Sequence, residues 1–294
     1  MPTLIASVLF ALLSAALFGA GTAAQHRVSA KLRRDEVVRL SFVARLTRDP
    51  LWLTGIGLEI AAFGCQLLAL RRGALVIVQP ILSLSLVIAL VITAVALKAR
   101  VPAGDRVAVF AVALGLAVFL ALTISREERV SRPTTTRWVT LWIVIGCVIV
   151  GAAHFGHRSE GRQRAQWLAG AAGVADAMMA ALAKALSQQF DRGFSTVLTT
   201  WPLYSVAAMG FVAVLLSQAA YQTARPAITL PVIAVVEPLL SVVIGIALFG
   251  ERIARSAGRA SLAIASLGVL AAGLAVLARS PLADDTGVRE MDIR

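Results

Sequence analysis

The sequence predicts an all-α polytopic membrane protein of about nine transmembrane helices, arranged as two inverted repeats of four plus five. Three observations carry that reading. Of 294 residues, 59% are hydrophobic and 15% charged, where water-soluble domains carry roughly 25% charged residues. The apolar residues gather in uninterrupted runs of bilayer-spanning length, roughly 17–25 residues. Those runs hold only four of the 44 charged residues.

The runs fall at about 3–24, 51–70, 74–97, 107–124, 138–155, 166–186, 196–217, 227–250 and 260–278. None shows the polar stripe at 3.6-residue spacing that marks a surface helix of a soluble protein. Each is apolar all round, so the medium facing it is lipid. Backbone groups in lipid must bond internally, which makes each run a helix. The alternation of a membrane barrel, about ten residues per strand, is absent. The first run is expected to be a membrane helix and not a cleaved leader, because no basic residue precedes its long apolar core and eight more spans follow. Composition also excludes a disordered or collagen-like chain. The two cysteines, Cys65 and Cys147, lie in apolar runs and predict no disulfide framework.

Lys and Arg counted loop by loop orient the chain. The 25–49 connection carries Arg27, Lys31, Arg33, Arg34, Arg39, Arg45 and Arg48. Placing it in the cytoplasm puts 17 basic residues there against 10 outside, with the N-terminus outside and the C-terminus cytoplasmic. Apolar residues from Val37 to Leu46 alternate with these arginines. The loop fits either a basic amphipathic helix on anionic lipid headgroups or a solvated linker helix. The net charge of +12 therefore points to a lipid surface and not to nucleic acid, for which no motif is present.

Four segments organise the chain: a first membrane repeat over 1–124, a linker over 125–137, a second repeat over 138–279 and a polar tail over 280–294. The repeat is faint. Residues 79–83 (QPILS) match 237–241 (EPLLS) at an offset of 158, whereas an offset of 151 pairs Pro80 with Pro231 and aligns the helix ends at Leu97 and Leu248. The sequence does not decide between them. Five crossings separate one membrane entry from the other, and an odd number inverts the second copy, as in many secondary transporters.

An ionisable group at bilayer depth costs about 2.5–3.5 kcal/mol on insertion scales. Glu59, Asp176 and Glu237 lie well inside spans and are the first candidates for substrate or ion binding. Lys184 joins them, although its place near a helix end also lets its stem snorkel to the headgroups. Glu251, at the membrane edge beside Arg252, reads as a solvated cap. Gln25, Gln66 and Gln79 either line the same cavity or join helices. Pro80, Pro231 and Pro238 each remove a backbone donor and are expected to break their helices. Glu237 immediately before Pro238 then resembles the broken-helix sites of transporters. His154 and His157 have no partner at metal-ligand spacing and read as interfacial. The residues at 19–24 (GAGTAA) formally fit a dinucleotide-binding pattern but end a membrane helix, not a strand. No triad, phosphate loop or Cys-x-x-Cys supports an enzyme, and no cofactor is expected.

The run Val235–Arg252 (VVEPLLSVVIGIALFGER) resembles the signature of the drug/metabolite transporter superfamily, EamA-like proteins included. The stretches 52–63 (WLTGIGLEIAAF) and 69–80 (ALRRGALVIVQP) resemble the branch that includes the magnesium-transporter-like NIPA proteins. Gly21 to Gln25 and Lys184 sit where that branch tends to place a glycine–glutamine and a lysine. The resemblance covers nearly the whole chain and implies an inverted-repeat helical carrier in the plasma membrane. The chain departs from the pattern at Lys98 and Arg100, where the second copy ends in Gly250-Glu251, and in having nine spans where ten are commonest.

The leading expectation is a secondary carrier of a small polar or cationic solute, working by alternating access with Glu237, Glu59 and Asp176 as binding or proton-coupling groups. The alternatives are a Mg²⁺ pathway, for which the three intramembrane acids would suffice if they converge, magnesium being usually held by one or two carboxylates plus waters, and a non-transporting scaffold or accessory subunit. Partners are lipid headgroups at 25–49 and a small solute or cation. Oligomeric state stays open between monomer and homodimer.

Overall fold

The computed structural model describes residues 2–31, 49–96, 98, 101–123, 133–224, 226–253 and 256–280. Among them the chain is predominantly helical, without strands. Nine helical segments among the described residues are long and apolar enough to cross a membrane. The chain is a multi-pass all-α membrane protein.

The helices are α1 (Pro2–Lys31), α2 (Pro50–Arg72), α3 (Leu75–Leu82), α4 (Leu84–Ala96), α5 (Ala103–Thr123), α6 (Thr135–Arg158), α7 (Gly161–Ser187), α8 (Phe194–Thr199), α9 (Trp201–Thr223), α10 (Pro226–Phe249) and α11 (Ala257–Leu277). Together α3 and α4 make the third span, 75–96. Most of the basic 25–49 connection, residues 32–48, lies outside the described residues, as do most of the 125–137 linker and the tail beyond Ser280. Helix α1 itself runs seven residues past the apolar run that predicts it, to Lys31.

Local chemistry sets the helix ends. Asp49 caps α2 by accepting the Leu51 and Trp52 N–H groups at 2.8 and 3.2 Å, with Pro50 in the first turn, where its missing donor costs nothing. Thr134 and Ser256 cap α6 and α11 in the same way. Pro80 has no N–H to give the Val76 carbonyl, and the third span breaks three residues later at Ser83. The expected breaks at Pro231 and Pro238 do not occur, because α10 runs without interruption through both. Packed neighbours hold such a helix together, and each proline then leaves one carbonyl four residues back, at Ala227 and Ala234, without its intrahelical donor.

Small residues decide which helices meet closely. Helix α7 is the most buried span, rich in Ala and Gly along its inner length, and it packs against α2, α6, α9 and α10. Gly21 on α1 and Gly55 on α2 approach so closely that a Cβ on Gly21 would meet the Gly55 carbonyl at 2.9 Å. Helices α5 and α11 cross the same way. A Cβ on Gly115 would lie 2.8 Å from Ser266 O, and one on Gly273 would lie 2.9 Å from Ala108 O.

Successive crossings define two faces. The first face holds the start of α1, Gly73, Ser187 and Phe249; the second holds Lys31, Ala96, Arg158 and Leu277.

Candidate functional site

A cavity of about 340 Å³ lies between α1, α2, the third span, α7, α10 and α11. Asp176 and Glu237 line it together, with Gln66, Gln79, Thr22, Ser83 and Ser85 as further polar walls. Asp176 sits just past the middle of α7 and Glu237 at the middle of α10, so the cavity is centred at mid-membrane depth. The two carboxyl groups interact electrostatically, and Tyr221 of α9 lies within electrostatic reach of Asp176. Among the described residues no Lys or Arg lines the space. From mid-depth the lining reaches Leu230 and Ala278, near the ends of α10 and α11 on the second face.

The amide of Gln79 is divided in use. Its Nε2 donates to Ser241 Oγ at 3.4 Å, while Oε1 is buried with no hydrogen-bond partner among the described residues. An orphaned buried acceptor is costly. Here it lines the same cavity as Ala234, whose carbonyl has no intrahelical donor at Pro238. Two carboxyl groups and these acceptors, without a fixed cation, suit a ligand that brings donors or positive charge.

Three expected site residues lie elsewhere. Gln25 and Glu59 meet each other across the Gly21–Gly55 contact of α1 and α2, where the absence of both Cβ atoms makes room for their stems. They are not part of the cavity wall. The three membrane acids therefore do not converge. Among the described residues no three His, Cys, Asp or Glu side chains gather as a metal site.

Lys184 neither snorkels nor lines the cavity. It is 5% exposed and forms an ion pair with Glu251. Glu251 is correspondingly not a solvated cap, because its side chain is only 7% exposed. The reason is the start of α3. Its N-cap position is Ala74, which has no side chain to offer. Glu251 takes over that role from 176 residues away, accepting the Leu75 and Val76 N–H groups at 2.9 and 2.8 Å. A carboxylate at a helix N-terminus is favoured by the donors and by the macrodipole. Lys184 neutralises it, donates to the Gly73 carbonyl at 3.3 Å, and stands 5.1 Å over the Phe249 ring. Gly250, at φ +69°, turns the chain so that Glu251 can reach back, and Gly245 leaves the room, since a Cβ there would lie 2.6 Å from Glu251 Oε2. The ends of α7 and α10 and the start of α3 are thus tied by buried charge at the first face. The tie is invisible in sequence because α3 starts inside an apolar run.

His154 lies beside Phe155, and His157 is on the last turn of α6. Trp138, Trp142 and Trp201 line another cavity, of about 380 Å³, at the first face, the depth at which indoles settle between lipid and water.

A protein of Corynebacterium glutamicum described as uncharacterized is 26% identical over 255 residues, covering 86% of this chain and 87% of its own. No family model matches the chain. No solved structure matches it.

Proposed function

We propose that the chain is a secondary carrier for a small polar or cationic solute, held between Asp176 and Glu237 and passed by alternating access. The observation that carries this reading is the shared mid-depth cavity with two acids from different helices, an unpaired Gln79 acceptor and no fixed cation. Ionisable groups at this depth are costly and face cavities or partners. A pair facing an internal space is supported better by cargo than by scaffolding. For the Mg²⁺ reading Glu59 stands apart with Gln25, which leaves Asp176 and Glu237 as its two carboxylates.

Two inverted units support the alternation. Helices α1, α2, α3–α4 and α5 correspond to α7, α9, α10 and α11, and α6 is the unmatched fifth span. The contacts of α1 with α2 and with α3–α4 have counterparts in those of α7 with α9 and α10. Gly115 meets Ser266 and Leu270 as Gly273 meets Ala108 and Val112, every residue offset by 158. In the cavity the matched lining residues are Gln79 and Leu230, Leu82 and Ile233, Ser83 and Ala234, and Leu86 and Glu237, every pair offset by 151. The two offsets differ by seven residues, about two helical turns, so both preserve the buried face. In this reading the second face is cytoplasmic in a plasma membrane, the cavity belongs to the inward-directed state, and the Lys184–Glu251 tie closes the outer side.

The test is a flux panel in proteoliposomes: primary amines, quaternary ammonium ions, amino acids, sugars and Mg²⁺. Uptake of an ammonium-bearing solute is expected, with Glu237→Gln and Asp176→Asn inserted normally yet at least tenfold slower. Transport unchanged in both variants rejects the site. Mg²⁺ flux alone, also lost in Glu59→Gln, favours the magnesium pathway instead.

A further inference from the structure

At the second face a crevice of about 260 Å³ runs between α7, α10 and α11, away from the acid-lined cavity. Its depth is apolar, formed by Ile228, Val232, Val235 and Val236 of α10 with Ala275 of α11. Its mouth carries Arg162 on the first turn of α7 and Arg279 just past α11. Both arginines are exposed, and neither guanidinium group has a hydrogen-bond or ion-pair partner among the described residues. Elsewhere the exposed Arg71 is matched, with Asp191 at 2.7 Å. Two unmatched guanidinium groups over an apolar slot at the headgroup level are complementary to one kind of molecule. They offer forked donors to a phosphate, while the valine-lined wall takes an acyl chain.

We propose that this crevice is a binding site for an anionic phospholipid, its phosphate between Arg162 and Arg279 and one chain along α10. A zwitterionic headgroup gains less, because its ammonium meets the same two cations. Basic pockets between membrane helices on the cytoplasmic side select anionic lipids for this reason. The proposal is independent of the carrier reading, since it uses none of the cavity residues.

The test is native mass spectrometry of the full chain titrated with dioleoyl phosphatidylglycerol or dioleoyl phosphatidylcholine. The expected result is preferential retention of phosphatidylglycerol. Arg162→Gln with Arg279→Gln should weaken it about thirtyfold, from about fivefold per arginine near an anionic surface. Arg71→Gln with Arg192→Gln, which removes the same charge at the other face, should leave it unchanged. Equal retention of both lipids, no loss in the first double variant, or equal loss in the second overturns the proposal. Displacement of the lipid by sn-glycerol 3-phosphate would make the ligand a free phosphate ester and also overturn it. Truncation after Ser280 is expected to leave the affinity as it is, and a rise would identify the acidic tail as the true occupant.

Discussion

Lys184 and Glu251 each sit in surroundings that would be hostile to either alone. Both side chains are nearly inaccessible, and a buried charge without its partner costs about 3–5 kcal/mol. Lys184→Met strands a carboxylate on the two N–H groups of α3, while Glu251→Gln strands an ammonium near the Gly73 carbonyl. Each single substitution is expected to lower stability in detergent by about that amount. The double variant should lose clearly less than the sum, because it leaves no charge unpaired. Thermal unfolding of the four proteins closes the cycle, and strict additivity would mean that the pair is not coupled. The acids at 59, 176 and 237 were legible in the sequence because charge inside an apolar run stands out. Their grouping was not, since Asp176 and Glu237 meet only through the packing of α7 on α10, and Glu59 is drawn off by Gln25 through two glycines.

At the scale of elements, glycine placement governs which helices touch, and the consequence is measurable. Gly115→Ala and Gly273→Ala both push a methyl into backbone atoms at the α5–α11 crossing, where nothing flexible can yield. Each is expected to destabilise by about 1–3 kcal/mol, the usual cost of overpacking. Gly146→Ala on α6 meets open space and should be neutral or slightly stabilising through helix propensity. Denaturant unfolding in a mild detergent compares the three, and similar losses at all three positions would refute the close crossing. The nine spans were readable from hydropathy because lipid imposes length and apolarity on every crossing. The behaviour of the prolines was only half readable. Pro80 breaks its helix and Pro231 and Pro238 do not, since the outcome depends on what packs around the freed carbonyls. Two glycines whose roles are tertiary, Gly245 and Gly173, carry no local signal at all. Gly173 admits Val236 of α10, whose side chain a Cβ would meet at 2.8 Å, and so brings Asp176 to the helix that bears Glu237.

For the whole molecule, the unequal treatment of the two faces is the property that function would use. At the first face the start of α3 is buried and clasped by Glu251 and Lys184; the cavity lining instead extends toward the second face at Leu230 and Ala278. In the proposed carrier the resting cavity is directed to the second face, and the other state is reached by releasing the clasp. Cysteine accessibility separates this from a static bundle. In a background with Cys65 and Cys147 replaced by alanine, Met179→Cys in the cavity wall should react with a membrane-impermeant thiol reagent added at the tail-bearing face. From the opposite face it should react slowly. Adding Lys184→Met with Glu251→Gln weakens the closed first face without stranding a charge. The outer-face rate should then rise about tenfold or more, since loss of even about 1.4 kcal/mol from one state shifts its population tenfold. A cavity cysteine labelled equally from both faces in the parent, or an outer rate unmoved by the double substitution, would mean that the clasp is only a helix cap.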